Sequence, residues 1–200
     1  MAPSGNFSVQ PDGSLRSAGG LGMLWYAKQS FANFSVKMQF RDIAPEGFRA
    51  NSGVFVRFPD PRTPLAQRPP GSCGTVGPAQ TSQAWVAIFC GQEIQIYDGE
   101  TGEPQKTGSV YNFDSRTLDQ AKVTPKNQWN TYEVKVVGQH YTIIRNGVVI
   151  NEFDNTPGIA SSRPGDPPTD LRQFADGYIG LQNHSDNDLI EFRNILVRPL

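Results

Sequence analysis

The chain has 200 residues, with 18 Lys and Arg against 19 Asp and Glu and a formal net charge of −1. That balance leaves no basic stripe to track a phosphate backbone, so nucleic acid is not an expected partner. No window approaches the ~20 apolar residues of a membrane-spanning helix. A chain of this length can bury a core without staples, and its 20 Gly and 16 Pro divide it into many short pieces.

The opening "MAPSGNF" lacks the apolar h-region of a signal peptide, so export would need a removed leader or an upstream domain. Period-2 alternation of apolar residues then predicts strands in "FSVKMQF" (34–40) and "SGVFVRF" (52–58). Residues 59–84 are too rich in Pro and Gly to pair as a central strand and read as a loop insertion. Strands are predicted again in "WVAIFC" (85–90), "EIQIYD" (93–98), "TYEVKVV" (131–137), "YTIIRNG" (141–147) and "VVINEF" (148–153). Asn146-Gly147 between the last two is a hairpin signal, because Asn-Gly adopts the positive φ of a type I′ turn at little cost. A second insertion covers 155–176, and "IEFRNILV" (190–197) predicts the closing strand. Only 116–124 and 169–175 could hold a helical turn. No linker divides the chain, so a single domain spans 1–200. Strands at this spacing with turns between them define an all-β sandwich or barrel.

Cys73 and Cys90 are the only cysteines. One lies in a Pro/Gly/Ser loop, which suggests a disulfide and hence an extracellular or periplasmic protein. The other reading is two unpaired small apolar side chains.

Face parity singles out three segments. In "SGVFVRF", Val54, Val56 and Phe58 alternate with Phe55 and Arg57. In "GQEIQIYD", Ile94 and Ile96 alternate with Glu93, Gln95 and Tyr97. In "GYIGLQNH", Ile179 and Leu181 alternate with Gln182 and His184. A face of Arg, Glu, Gln, Tyr and His suits a polar, hydroxylated ligand; the plainer reading is a solvated face.

The blocks "LGMLWYAKQSFANFSVKMQFR", "NSGVFVRF", "GQEIQIYD", "TGSVYNF", "NQWNTYEVKVVGQHYTIIRNGVVINEF" and "GYIGLQNHSDNDLIEFRNILVRPL" together resemble the 3-keto-disaccharide hydrolase domain family, formerly DUF1080. The resemblance implies a two-sheet antiparallel jelly roll of the concanavalin A-like lectin and glucanase type. It also implies a site on the concave sheet built from Arg57, Glu93, Gln95, Tyr111, Gln182 and His184. Three departures stand out: a short opening strand, a 59–84 loop longer than the family pattern with its own cysteine, and Ser185 in place of a Gly after the His.

Ordinary two-carboxylate glycoside hydrolysis is disfavoured. In "EIQIYD" a Gln separates Glu93 from Asp98, and Asp98 falls on the opposite face of a regular strand, whereas a retaining pair sits about 5–5.5 Å apart. A 3-keto sugar offers elimination instead, because the ketone acidifies the neighbouring C–H. Such chemistry needs a base, a donor at the ketone oxygen and an acid at the leaving oxygen. Glu93 or His184 could be the base, Arg57 could stabilise the enolate, and Tyr111 or His184 could protonate the leaving group. Gln95, Gln182, Tyr97 and Trp25 would bind the sugar, with Trp85 as another stacking candidate. Trp25, Trp85 and Trp129 read equally as core packing, Trp129 beneath the strand that follows it. No cofactor is expected; a divalent metal could sit on Glu93 and His184, but one His and one Glu do not make a recognisable metal spacing. The expected partner is a glycan or glycoside, with other domains of a longer chain alongside. The competing readings are a non-catalytic carbohydrate-binding module and a laminin-G-like interaction domain.

Overall fold

The computed structural model describes residues 5–64, 67, 73 and 83–200. Among these the chain forms eleven strands: β1 (Asn6–Val9), β2 (Leu15–Ala18), β3 (Gly22–Trp25), β4 (Phe34–Asp42), β5 (Ser52–Phe58), β6 (Gln92–Ile96), β7 (Asn130–Val137), β8 (His140–Arg145), β9 (Val148–Asp154), β10 (Tyr178–Asn183) and β11 (Ile190–Pro199). They pair antiparallel into a seven-stranded sheet, β1-β2-β11-β4-β7-β8-β9, and a four-stranded sheet, β3-β10-β5-β6. This is the jelly-roll sandwich. None of the described helices is long and apolar enough to cross a membrane.

Alternation builds the core. Phe34, Val36, Met38 and Phe40 of β4 and Tyr132, Val134 and Val136 of β7 point inward. They meet Val54, Val56, Ile94, Ile96, Ile179 and Leu181 from the smaller sheet. The β8–β9 hairpin turns at Asn146 and Gly147, both at positive φ (50° and 81°), as the Asn-Gly pair predicts.

Residues 85–90 are not a strand. Ala84–Cys90 form one short helix, α1, which lies on the outer face of the smaller sheet. Ala84, Val86, Ala87, Ile88, Phe89 and Cys90 are all buried, in a second apolar cluster with Phe55 and Phe58. A helix covered on nearly every side is an unbroken apolar run, and periodicity cannot separate that from a buried strand. Cys90, at the end of α1, is disulfide-bonded to Cys73, with the two Cα atoms 5.2 Å apart. The rest of the 59–84 insertion, residues 65–66, 68–72 and 74–82, lies outside the described residues. Of the two expected helical turns, Thr169–Arg172 is a 3-10 turn, and only plain turns occur within 116–124.

Arg57 departs furthest from its expected place. Tyr178 pairs with Phe58 and Ile179 with Val56, so Arg57 is an extra residue in the ladder, with φ of 59°. A β-bulge of this kind breaks the two-residue alternation. Phe55 and Phe58 therefore both face α1, while Arg57 turns inside. Its guanidinium donates to the carbonyls of Phe174 (2.6 Å), Gly138 (2.9 Å) and Ala32. Gly177 packs against the bulge so closely that a Cβ would lie 2.7 Å from the Arg57 Cα. Arg57 is thus a clasp between the ends of the sheets and the 155–176 segment. Arg57→Leu, which removes three charge-assisted hydrogen bonds to part-buried carbonyls, is expected to destabilise the fold by about 3 kcal/mol in urea unfolding. A loss under about 1 kcal/mol would show that the clasp holds nothing.

Candidate active site

The outer face of the smaller sheet is dry where α1 covers it and open beside the helix. In the open part, Glu93 and Gln95 of β6 and Gln182 of β10 point outward, because Ile94, Ile96 and Leu181 point into the core. His184 follows directly after β10. The side chain of Glu93 lies over Gly53 of β5, where a Cβ would be 2.9 Å from Glu93 Cγ, so any larger residue there would displace the carboxyl. Residues 107–111 run alongside β6 as a partial fifth strand: Gly108 N–H donates to Gln95 O (3.0 Å), Gln95 N–H to Ser109 O (2.9 Å) and Tyr111 N–H to Glu93 O (2.9 Å). This brings the Tyr111 phenol to the same place. The cavity, about 210 Å³, is completed by Asn51, by Trp85 and Ile88 of α1, by Leu21 and by Arg163. Drug-sized ligand pockets run roughly 300–1,000 Å³, so this one has room for a single sugar ring.

The electrostatics of the cavity are built around one buried acid and one oriented histidine. Glu93 is 4% exposed. Burial pushes its carboxyl up to about 8, against the pull of His184 and a hydrogen bond from Gln182. In the amide orientation that satisfies its neighbours, Gln95 Nε2 donates to Glu93 Oε1 (3.1 Å) and to the Ser52 carbonyl (3.0 Å). His184 Nδ1 is 2.7 Å from Asp188 Oδ2, which also accepts from Ser185 Oγ at 2.5 Å, and Asp188 Oδ1 accepts from Asn51 N–H at 2.7 Å. Burial raises the Asp188 carboxyl, but the hydrogen bonds from His184, Ser185 and Asn51 outweigh it and hold the group below the usual carboxylate range. The Asp188 hydrogen bond in turn raises His184 above an ordinary imidazole, against its burial. With Nδ1 on Asp188, Nε2 is the remaining ring nitrogen of His184. Burial pushes the Tyr111 phenol up to about 12, and its oxygen lies 3.5 Å from Glu103 Oε2.

Five of the expected residues, Glu93, Gln95, Tyr111, Gln182 and His184, therefore come together. Three do not. Arg57 is turned inside by its bulge. Trp25 packs edge-on against Tyr178 at 4.9 Å and lines a different, larger apolar cavity of about 520 Å³. Tyr97 lies beyond the end of β6, where its N–H turns to Thr107 Oγ1 (2.9 Å); its hydroxyl bonds the Thr101 carbonyl and Lys106 covers its ring. Among the tryptophans it is Trp85 that reaches the cavity. Trp129 sits under the guanidinium groups of Arg41 (4.6 Å) and Arg193 (4.0 Å) instead of beneath a strand. Asp98 is spent on Arg145. Sequence reasoning missed Asn51, Asp188 and Arg163. The His-to-Asp spacing of four across the turn "HSDND" was the available signal for Asp188; Arg163 lies in irregular chain and carries none.

The fold is an antiparallel jelly roll with this cavity on the face of its smaller sheet. The model of the 3-keto-alpha-glucoside-1,2-lyase-like domain matches residues 3–198, and the chain belongs to that family. A Parabacteroides distasonis protein, provisionally named a glycosyl hydrolase, is 25% identical over 97% of this chain and 90% of its own, with a TM-score of 0.69. A second protein of that bacterium, with the same provisional name, is 20% identical over 97% and 83%, with a TM-score of 0.64. The carbohydrate-binding module CBM66 of Bacillus subtilis is 10% identical over 98% and 92%, with a TM-score of 0.54. These last two likenesses show the fold alone. No curated protein matches the sequence.

Proposed function

We propose that the domain takes one ring of a 3-oxidised glycoside into the Glu93–His184 cavity and cleaves it by elimination, with water addition completing a hydrolysis. The observation that carries this reading is the pairing, in one small cavity, of a buried carboxyl that burial keeps protonated near neutral pH with a histidine oriented by a carboxylate. Pairs of titratable groups pushed apart by their surroundings mark acid and base roles.

The steps balance on the chain's own residues. Nε2 of His184 takes the proton from the carbon next to the ketone, and the C–H electron pair forms an enolate. The enolate then returns to a ketone, a new C=C bond forms toward the anomeric carbon, and the glycosidic C–O bond breaks. Glu93 supplies the proton to the leaving oxygen; in the hydration that follows, its carboxylate takes a proton from the water that adds to the anomeric carbon, and His184 returns its proton to the carbon next to the ketone. Asp188 keeps Nδ1 protonated and the ring oriented. A divalent metal on Glu93 and His184 does not fit this donor set. Glu93 and His184 give two donors, and no group of three His, Cys, Asp or Glu side chains that could hold an ion occurs among the described residues. The disulfide suits an exported protein, since such bonds persist in oxidising compartments.

The test is incubation with plain glycosides and with their 3-keto derivatives, followed by product analysis across pH. Turnover of the 3-keto compounds is expected, with a bell-shaped profile. Activity rises as His184 loses its proton and falls as pH passes about 8, where Glu93 ionises. Because the two groups interact, the limbs belong to the pair. Binding without turnover would leave a carbohydrate-binding module; neither binding nor turnover would leave the laminin-G-like interaction domain.

A further inference from the structure

With Arg57 turned inside, the elimination lacks the positive charge it needs at the ketone oxygen. We propose, building on the reading above, that Arg163 is the catalytic residue that binds this oxygen and stabilises the enolate.

Arg163 is the only Arg or Lys lining the cavity among the described residues. Its guanidinium is also uncommitted, unlike its buried counterparts. Arg57 donates to three carbonyls, Arg172 to those of Ile88, Gly91 and Pro167, and Arg145 is held by Asp98. The closest carboxylate to Arg163 is Asp166, at 3.8 Å, and half of the Arg163 side chain (50%) is exposed. Such a group can swing onto a ligand without breaking a strong bond.

The chain around Arg163 is fastened where a catalytic group would need it. Asn112, next to Tyr111, is buried at positive φ (67°). Gln105 holds it in a reciprocal pair: Asn112 N–H donates to Gln105 Oε1 (2.6 Å), and Gln105 Nε2 donates to Asn112 Oδ1 (2.9 Å). From there Asn112 Nδ2 donates to Asp166 Oδ2 (3.0 Å), and the Asn112 carbonyl accepts from Ser162 N–H (2.8 Å). Arg163 N–H is tied to Ser161 Oγ (3.1 Å). The backbone of Arg163 is thus latched on both sides to the residue that follows the cavity's tyrosine, while its side chain stays unspent. A fixed backbone with a free cationic tip, lining the same small cavity as an acid and a base, is the arrangement that stabilises charge developing on an oxygen. The step itself moves no proton to or from Arg163: the electron pair of the broken C–H bond becomes the C=C bond of the enolate, the carbonyl π pair moves onto the oxygen, and the guanidinium holds the resulting charge.

The experiment compares wild type, Arg163→Lys and Arg163→Gln in two measurements. The first is deuterium wash-in at the carbon next to the ketone of a 3-keto-glucoside in D₂O, with kcat for cleavage measured alongside. Arg163→Gln is expected to lower both exchange and kcat by ~10²-fold, the scale of losing one oxyanion donor, with the melting temperature unchanged. Arg163→Lys should recover part of the loss. A Gln variant within threefold of wild type would overturn the proposal. The second measurement is binding of glucuronate against glucose, which needs no turnover. Wild type should prefer the anion, and Arg163→Gln should lose that preference. If wild type cleaves nothing, the reading of the function fails, and the binding arm alone decides Arg163: an absent preference, or one the Gln variant keeps, overturns its assignment as an anion-holding residue.

Discussion

Glu93→Gln should lower turnover of a 3-keto-glycoside by ~10²-fold or more at neutral pH, the usual scale for a lost general acid, and should leave the protein folded. Gln matches the shape of the protonated carboxyl that burial already imposes on Glu93. The same substitution makes a separate claim about stability. The folded carboxyl titrates at about 8 and the unfolded one at 4.5, so the folded state binds the proton more tightly. Below the unfolded value both states are protonated, and the buried acid carries no ionisation penalty. As pH rises from about 4.5 through about 8, wild type progressively loses stability that the Gln variant keeps, and above that range the gap is constant. The full gap is at most about 5 kcal/mol. Urea unfolding of the two proteins at pH 5, 7 and 9 measures it. A gap that does not widen with pH would mean that Glu93 is ionised and solvated in the folded protein, and its role as an acid would go with it.

Arg145→Met is expected to be among the most damaging single substitutions in the sandwich. Arg145 is fully buried, and its fork meets Asp98 at 2.9 and 2.7 Å. It also donates to the Ala121 carbonyl (3.0 Å), Thr124 Oγ1 (3.1 Å) and Asn130 Oδ1 (3.2 Å). Removing the cation leaves Asp98 buried with only Thr107 Oγ1, at 2.7 Å, as a donor. Breaking one side of such a pair costs about 3–5 kcal/mol, which for a chain of this size is roughly 10 °C in Tm. The double variant Arg145→Met, Asp98→Leu should recover much of that loss, because no unpaired charge remains. Chemical denaturation of the two single variants and the double gives the coupling directly. A loss under 1 kcal/mol for Arg145→Met alone would show that Asp98 finds water in the folded state.

Much of this architecture was readable from alternation alone. Strands β4, β5, β6, β7, β8, β9 and β11 fall where period-2 patterns place them, because each buries one face against the other sheet. Alternation was silent where tertiary context inserts a residue. One bulge at Arg57 inverts the face of everything after it in β5, and nothing in "SGVFVRF" announces an αL residue in mid-strand. The run 85–90 failed for the opposite reason, since a helix buried all round has no polar face to set its period. At the cavity, Glu93, Gln95 and Gln182 were legible because they sit on regular ladders. Asn51 and Arg163 lie at a strand edge and in irregular chain, where no spacing rule places them, and Asp188, which bonds His184 from a turn, was signalled only by its spacing of four from that histidine.

The cavity draws its parts from two sources that answer to different constraints. Glu93, Gln95 and Gln182 are held by ladder bonds in a sheet buried on both faces, so a change of backbone there would disturb the whole sandwich. Trp85, Ile88 and Arg163 come from α1 and from the 155–176 segment, which lie over the sheet without being threaded through it. Trp85 and Arg163, neither of them fully buried, can therefore change the shape of the cavity without disturbing the ladder that carries Glu93, Gln95 and Gln182. Specificity can drift in this domain at positions where drift does not endanger folding.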